Sequence, residues 1–365
     1  MHVLLLEAPG SAVLRMRAEA AVARRGWVVA DAAPEADALL VCGAPGPDLA
    51  ALGGTVWDQL PGPRARATVT DRAELGAALD DVARSLLDTE RQRAEARDRP
   101  GPAAGWDEQD GEEQDGEEQD GEEQDGEEQD GEEQDHGGMD HGEMDHGEME
   151  MSGPAGTPLA GGWDGDRDGL EMDVLHVRLG GALRHWPAGV VLRCTVSGDV
   201  VVEAEVELLD AVPSAARTAV ELAAVDCDAA AAVLALAGWH SAARAAVRAR
   251  DALLTPDAPP DAERAAGEAA RLARRVRRSR ALRLLVGGLG AGGAAGGDVV
   301  EQVAARLDRA HALLTAAAAP VVPSRAPGDL PGLVRGLDLA AVRLLVAAAD
   351  VHPVTAPRPA GVRGG

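Results

Sequence analysis

The most pointed chemistry in this 365-residue chain is carried by His136, Met139, His141, Met144, His146, Met149 and Met151, set among carboxylates. Thioethers and imidazoles suit soft Cu(I), while imidazole with carboxylate accepts Cu(II), Ni(II) or Zn(II). Ligands three and five residues apart let a flexible chain wrap an ion. Binding must then also order the chain. The plainer reading is repeat slippage. The five-residue period of the preceding GEEQD copies runs on as HGGMD, HGEMD and HGEME, with His in place of Gly and Met in place of Gln.

Little else has the spacing of a site. Cys42, Cys194 and Cys227 lie in separate segments without a CxxC pair, so neither a disulfide framework nor a zinc site is signalled. They read as small buried hydrophobes. The ordered parts hold no GxSxG, HExxH, P-loop or paired-carboxylate motif, so no catalytic residue is assigned. Asp166, Asp168, Glu171 and Asp173 cluster without the spacing of a calcium loop. The glycine-rich stretch 287–297 does not open a helix after a strand and reads as a connector. Arg271, Arg274, Arg275, Arg277, Arg278 and Arg280 form a basic run, read as a solvated helix face, with docking of the acidic linker on it as the alternative.

The elements that would position such groups follow from pattern. Val3 to Leu6 is a short apolar run closed by Ala8-Pro9-Gly10, as in a buried parallel strand. Ser11 is a candidate N-cap for a helix that stops at Gly26. Strands at 27–29, 38–42 and 66–69 and helices at 49–60 and 72–97 complete a small α/β sheet. From Pro100 the composition changes. Gly111 to Asp135 is five identical copies of GEEQD, each with three acids and nothing apolar to bury against the entropy of ordering, which predicts disorder. Beyond it, 172–179 and 190–209 read as strands turning at Ser197-Gly198-Asp199, followed by Ala/Leu/Arg-rich helices near 214–253, 260–286, 298–318 and 330–350.

The fold class expected is therefore α/β: a parallel-sheet domain (1–99), a disordered linker (100–167), a hairpin or small sheet on a helical bundle (168–352), and a disordered tail (353–365). The net charge of −27 is concentrated in the linker. Asp107 to Glu150 holds 23 acids and no Arg, leaving 39 acids against 35 basic residues elsewhere. Ordered parts so close to neutral exclude a nucleic-acid binder with a basic footprint. All 35 basic residues are Arg. The N-terminal apolar run is too short for a signal peptide and no stretch is long enough for a membrane span, so a cytoplasmic protein without transmembrane segments is expected.

Two stretches, Ala36-Asp37-Ala38-Leu39-Leu40-Val41-Cys42-Gly43 and Val56-Trp57-Asp58-Gln59-Leu60-Pro61-Gly62-Pro63-Arg64, resemble the 20 kDa subunit of NADH-quinone oxidoreductase (respiratory complex I), with its "ADxLLVxG" strand and "xYDQMPxP" helix end. The stretch from Gly181 through His185-Trp186-Pro187-Ala188-Gly189-Val190 to Gly198-Asp199-Val200-Val201 more weakly resembles the early hairpin of the 49 kDa subunit. The resemblance implies respiratory-chain subunits as partners and a scaffold for a four-iron, four-sulfur cluster. That cluster needs four thiolates, however, and this chain has three scattered cysteines, so no cluster is expected. The family's quinone-facing histidine corresponds to Ala188. His185 could substitute as proton donor, although a structural histidine is the plainer reading.

Three functions follow. The first is a non-catalytic accessory or assembly protein related to these subunits. The second is a metal-binding protein acting through its Met/His segment, which also resembles segments of copper-handling proteins and would take Cu(I). The third is a divergent oxidoreductase with an altered quinone-type site.

Overall fold

The computed structural model describes residues 1–99, 152–153, 157–163, 172–210, 217–255, 259–291, 297–320, 322 and 324–351. The first part alternates strand and helix: β1 (His2–Glu7), α1 (Ala12–Arg24), β2 (Val28–Val29), β3 (Ala38–Cys42), α2 (Pro47–Gln59), β4 (Ala65–Val69), α3 (Leu75–Leu87) and α4 (Thr89–Asp98). Its four strands run parallel in the order β2-β1-β3-β4, and Val3 pairs with Ala38 and Ala38 with Ala65. A parallel sheet is covered on both faces, which is why β1 and β3 are continuous apolar runs rather than alternating ones. Ala18, Val22, Leu79 and Val82 from α1 and α3 bury against one face. On the other, Leu49, Val56 and Leu60 of α2 and its end bury together with Val191 and Leu209 from the distant second part. Gly26 follows α1 at φ +71°, the left-handed turn that glycine adopts without strain.

The second part begins with an antiparallel sheet in the order β5-β6-β7-β8-β9: β5 (Ser152–Gly153), β6 (Thr157–Trp163), β7 (Met172–Gly180), β8 (Val190–Ser197) and β9 (Val200–Leu208). The hairpin turns at Gly198, φ +61°, as the Ser-Gly-Asp signal predicts. The sheet reaches further back than the pattern suggested. Thr157–Trp163, inside the stretch expected as linker, pairs with β7 through Leu159–Leu175 and Ala160–Val174. Only its β-pairing partner, nine to sixteen residues on, distinguishes that strand from the surrounding Gly/Pro-rich chain. The rest of the GEEQD and Met/His segment and the tail after Val351 lie outside the described residues.

Helices α5 (Ala219–Leu236), α6 (His240–Leu254), α7 (Ala262–Arg278), α8 (Arg280–Val286), α9 (Val299–Leu314), α10 (Leu330–Val334) and α11 (Leu339–Ala348) follow, with short strands β10 (Ser324–Arg325) and β11 (Asp350–Val351) paired in parallel. The expected helices at 72–97, 214–253, 260–286 and 330–350 are each divided, because a capping signal interrupts the apolar period, whereas 298–318 holds the single helix α9. Gly238 adopts φ +75° between α5 and α6. Ser279 accepts the Leu282 N–H at 3.2 Å to start α8, and Asp88 accepts that of Arg91 at 3.1 Å to start α4. The bundle core is built largely of alanine, among them Ala224, Ala230, Ala246, Ala269 and Ala304, with Leu234, Leu272 and Leu307. Small side chains let helix axes approach closely. Residues of β8 and β9 bury against Leu330, Val334, Val342 and Val346, so sheet and bundle share one core.

Candidate functional site

Glu7 ends β1 and Arg15 stands one turn into α1, at the carboxyl end of the parallel strands where open α/β sheets hold their ligands. Arg15 donates to Glu7 (2.8 Å), to Glu19 one turn on (2.8 Å), and through two nitrogens to Asp228 of α5 (3.2 and 2.5 Å). Such a bidentate pair is a strong and directional contact. Arg250 of α6, its side chain 3% exposed, donates to Glu19 and Asp228 (2.6 Å each) and to Asp251 (2.9 Å). Four carboxylates thus surround two guanidiniums across the junction of the two parts.

This excess of negative charge divides the carboxylates. Burial pushes Glu7 above its usual range, with Arg15 only partly offsetting it. For Glu19 and Asp228 burial acts in the same upward direction, but Arg15 and Arg250 outweigh it and hold both below theirs. Burial raises Asp251 as well, so Glu7 and Asp251 are the carboxyls of this group pushed toward the protonated form.

A cavity of about 190 Å³ opens onto the group. Its far wall is the loop from Gly181 to Ala188, and further sides come from Val225, Ala229 and Ala232 of α5 and from Arg217, Arg306 and Asp350. That volume is near the roughly 150 Å³ known to hold a benzene-sized molecule. The loop is held in place by the Trp186 indole N–H, which donates to Val190 O at 2.8 Å. His185, at the unusual φ of +64°, lines the cavity. Burial, reinforced by the neighbouring Arg184 charge, pushes its imidazole down to about 4, so it is neutral at physiological pH. Beside the cavity lies a second buried knot. Asp226, fully buried, receives both Arg309 nitrogens (2.7 and 2.5 Å), while Arg306 bonds Asp350 (3.1 Å) and Ala348 O (3.2 Å).

Of the residues singled out from sequence, Ala188 and His185 lie on this cavity. His136, Met139, His141, Met144, His146, Met149 and Met151 lie outside the described residues. Among the described residues no three His, Cys, Asp or Glu side chains are grouped to hold a metal. The three thiols are buried in different elements, β3, β8 and α5. Burial pushes Cys42 and Cys227 up to about 12 and raises Cys194, which keeps all three protonated. The stretch Val56 to Arg64 is structural: buried Arg64 lies 4.1 Å over the Trp57 ring and donates to Glu95 of α4 at 2.5 Å. Sequence reasoning missed Glu7, Arg15, Glu19, Asp228 and Arg250. One signal was there, since Asp226 and Asp228 interrupt an otherwise apolar run in α5. Comparison with family models, curated proteins and solved structures gives no match to this chain.

Proposed function

We propose that this chain is a non-catalytic accessory or assembly protein related to subunits of NADH-quinone oxidoreductase, with respiratory-chain subunits as its partners. The observation that carries the reading is the position of the cavity. It lies between the first strand of the 20 kDa-like part and the Gly181–Ala188 loop on which the 49 kDa resemblance rests, and no thiol is among its lining residues. The two parts are fastened there by the Arg15–Asp228 and Arg250–Glu19 pairs. A scaffold that keeps two subunit-like halves in one arrangement while its cysteines stay protonated and sealed suits assembly better than electron transfer.

The test has two arms. Protein reconstituted anaerobically with iron and sulfide should acquire no iron–sulfur absorption. Loss of the gene should lower the amount of assembled NADH-quinone oxidoreductase in membranes, and the wild-type chain should restore it. A stable cluster spectrum would return the chain to the oxidoreductases. Unchanged assembly in the deletion strain would remove the accessory role.

A further inference from the structure

The end of the bundle farthest in sequence from the cavity carries an unpartnered surface of mixed character. On α7, Arg274 and Arg275 each lie three or four residues from both Arg271 and Arg278, which places all four on one helix face. All four are exposed and converge with Ser279 and Trp239 around one open groove. The opposite face, with Ala266, Ala269, Leu272, Ala273 and Val276, is buried in the bundle. Helix α8 continues from Ser279 and adds exposed Arg280 and Arg283. No acidic residue occurs from 269 to 297. Two carboxylates reach the cluster from outside, Glu268 to Arg271 and Asp308 to Arg277, while Arg274, Arg278 and Arg280 have no carboxylate partner among the described residues.

On α8 the apolar residues are divided. Leu282 and Val286 turn inward and are buried, whereas Leu284 is 88% and Leu285 71% exposed. Arg283, between them and the α7 stripe, donates to the Arg277 carbonyl, so leucines and arginines form one continuous surface. Two adjacent leucines in water beside uncompensated guanidiniums have the chemistry of a peripheral membrane-binding element: aliphatic tips for the acyl boundary, arginines for the phosphates above it. Nucleic acid would also attract the arginines, but it offers nothing to aliphatic leucines.

We propose that this surface docks the protein reversibly on anionic lipid bilayers, with Leu284 and Leu285 inserted and the α7 arginine face on the headgroups. No helix among the described residues is long and apolar enough to cross a membrane, so the contact is peripheral. Each arginine brought to an anionic surface strengthens binding by about fivefold.

Co-sedimentation of the full-length protein with vesicles tests this. Binding is expected to phosphatidylcholine vesicles containing phosphatidylglycerol and not to phosphatidylcholine alone. It should be lost at about 1 M salt, where charges are screened beyond about 3 Å. Leu284→Ser with Leu285→Ser should weaken it at least about tenfold, and Arg274→Glu with Arg278→Glu similarly, since both remove favourable burial or attraction. Because these side chains are exposed, neither pair should change the thermal midpoint. The proposal fails if phosphatidylglycerol has no effect, or if the serine variant binds as the parent does. It fails equally if the leucines prove instead to hold two copies of the chain together in sedimentation velocity, or if duplex DNA binds more tightly than vesicles and without regard to the leucines. The result is independent of whether the chain assists a respiratory complex, because the vesicles contain no protein.

Discussion

At the scale of single residues, the junction network makes opposite demands on its carboxylates. Glu7 is raised above its ordinary 4.5, so its contribution to stability is fully present below that value and is lost as pH rises through the higher folded one. Glu7→Gln, which mimics the protonated form, should therefore stabilise the protein against urea at neutral pH relative to its effect at acid pH. Equal effects at the two would contradict the shift. Asp228 is lowered below its ordinary 3.8, so its contribution is present above that value and is lost as pH falls. Asp228→Asn should cost about 3–5 kcal/mol at neutral pH by leaving Arg15 and Arg250 buried with a missing partner, and less in acid. None of this was legible as a site, because the five side chains come from positions 7 to 250 and only folding brings them together. The Met/His segment is the reverse case, where ligand types alone set the expectation. Changing Met139, Met144, Met149 and Met151 to Leu should remove most Cu(I) binding in a chelator competition and spare Cu(II) or Ni(II) at His136, His141 and His146. Equal competition by parent and variant would mark the segment as a slipped repeat.

At the scale of elements, capping decides what hydrophobic period cannot. Asp298 starts α9 by accepting the Glu301 N–H at 2.9 Å, and its other oxygen accepts the Gly288 N–H at 3.2 Å, so one side chain both caps the helix and closes the glycine-rich connector. Asp298→Ala should lower stability by about 1–2 kcal/mol in urea unfolding, the upper part of the range for a lost N-cap. A change under a few tenths of a kcal/mol would show that the connector is held otherwise. Helix α2 shows where sequence gives no cap to find. Its N-cap is Gly46, without a side chain, and the carboxylate that accepts the Asp48 and Leu49 N–H groups (3.3 and 2.8 Å) is Asp210, at the end of β9. A Cβ at position 46 would collide with that carboxylate, so the glycine is needed for the close approach.

At the scale of the whole molecule, the two parts share the apolar core around Leu39, Leu49, Val191 and Leu209, the Arg15 and Arg250 network and the Asp210 cap. They should unfold in a single calorimetric transition with equal calorimetric and van't Hoff enthalpies. Replacing Gly111 to Asp135 by a Gly/Ser sequence of equal length should change stability by less than about 0.5 kcal/mol, because the GEEQD copies have no apolar group to bury. Two separate transitions would contradict the shared core, and a large loss on replacement would mean that the acidic repeat contacts the folded parts. By itself the sequence determined the parallel strands β1 and β3, the hairpin at Gly198 and the helical character of the chain after residue 217. Each of these follows from local period and from the backbone freedom of Gly, which act over a few residues. Tertiary structure alone decided that β6 joins the sheet, that Asp210 caps a helix 162 positions earlier, and that Glu7, Arg15, Glu19, Asp228 and Arg250 meet at a cavity. Charge pairing and capping across such separations depend on where folding brings the groups in space, and no sequence period records that.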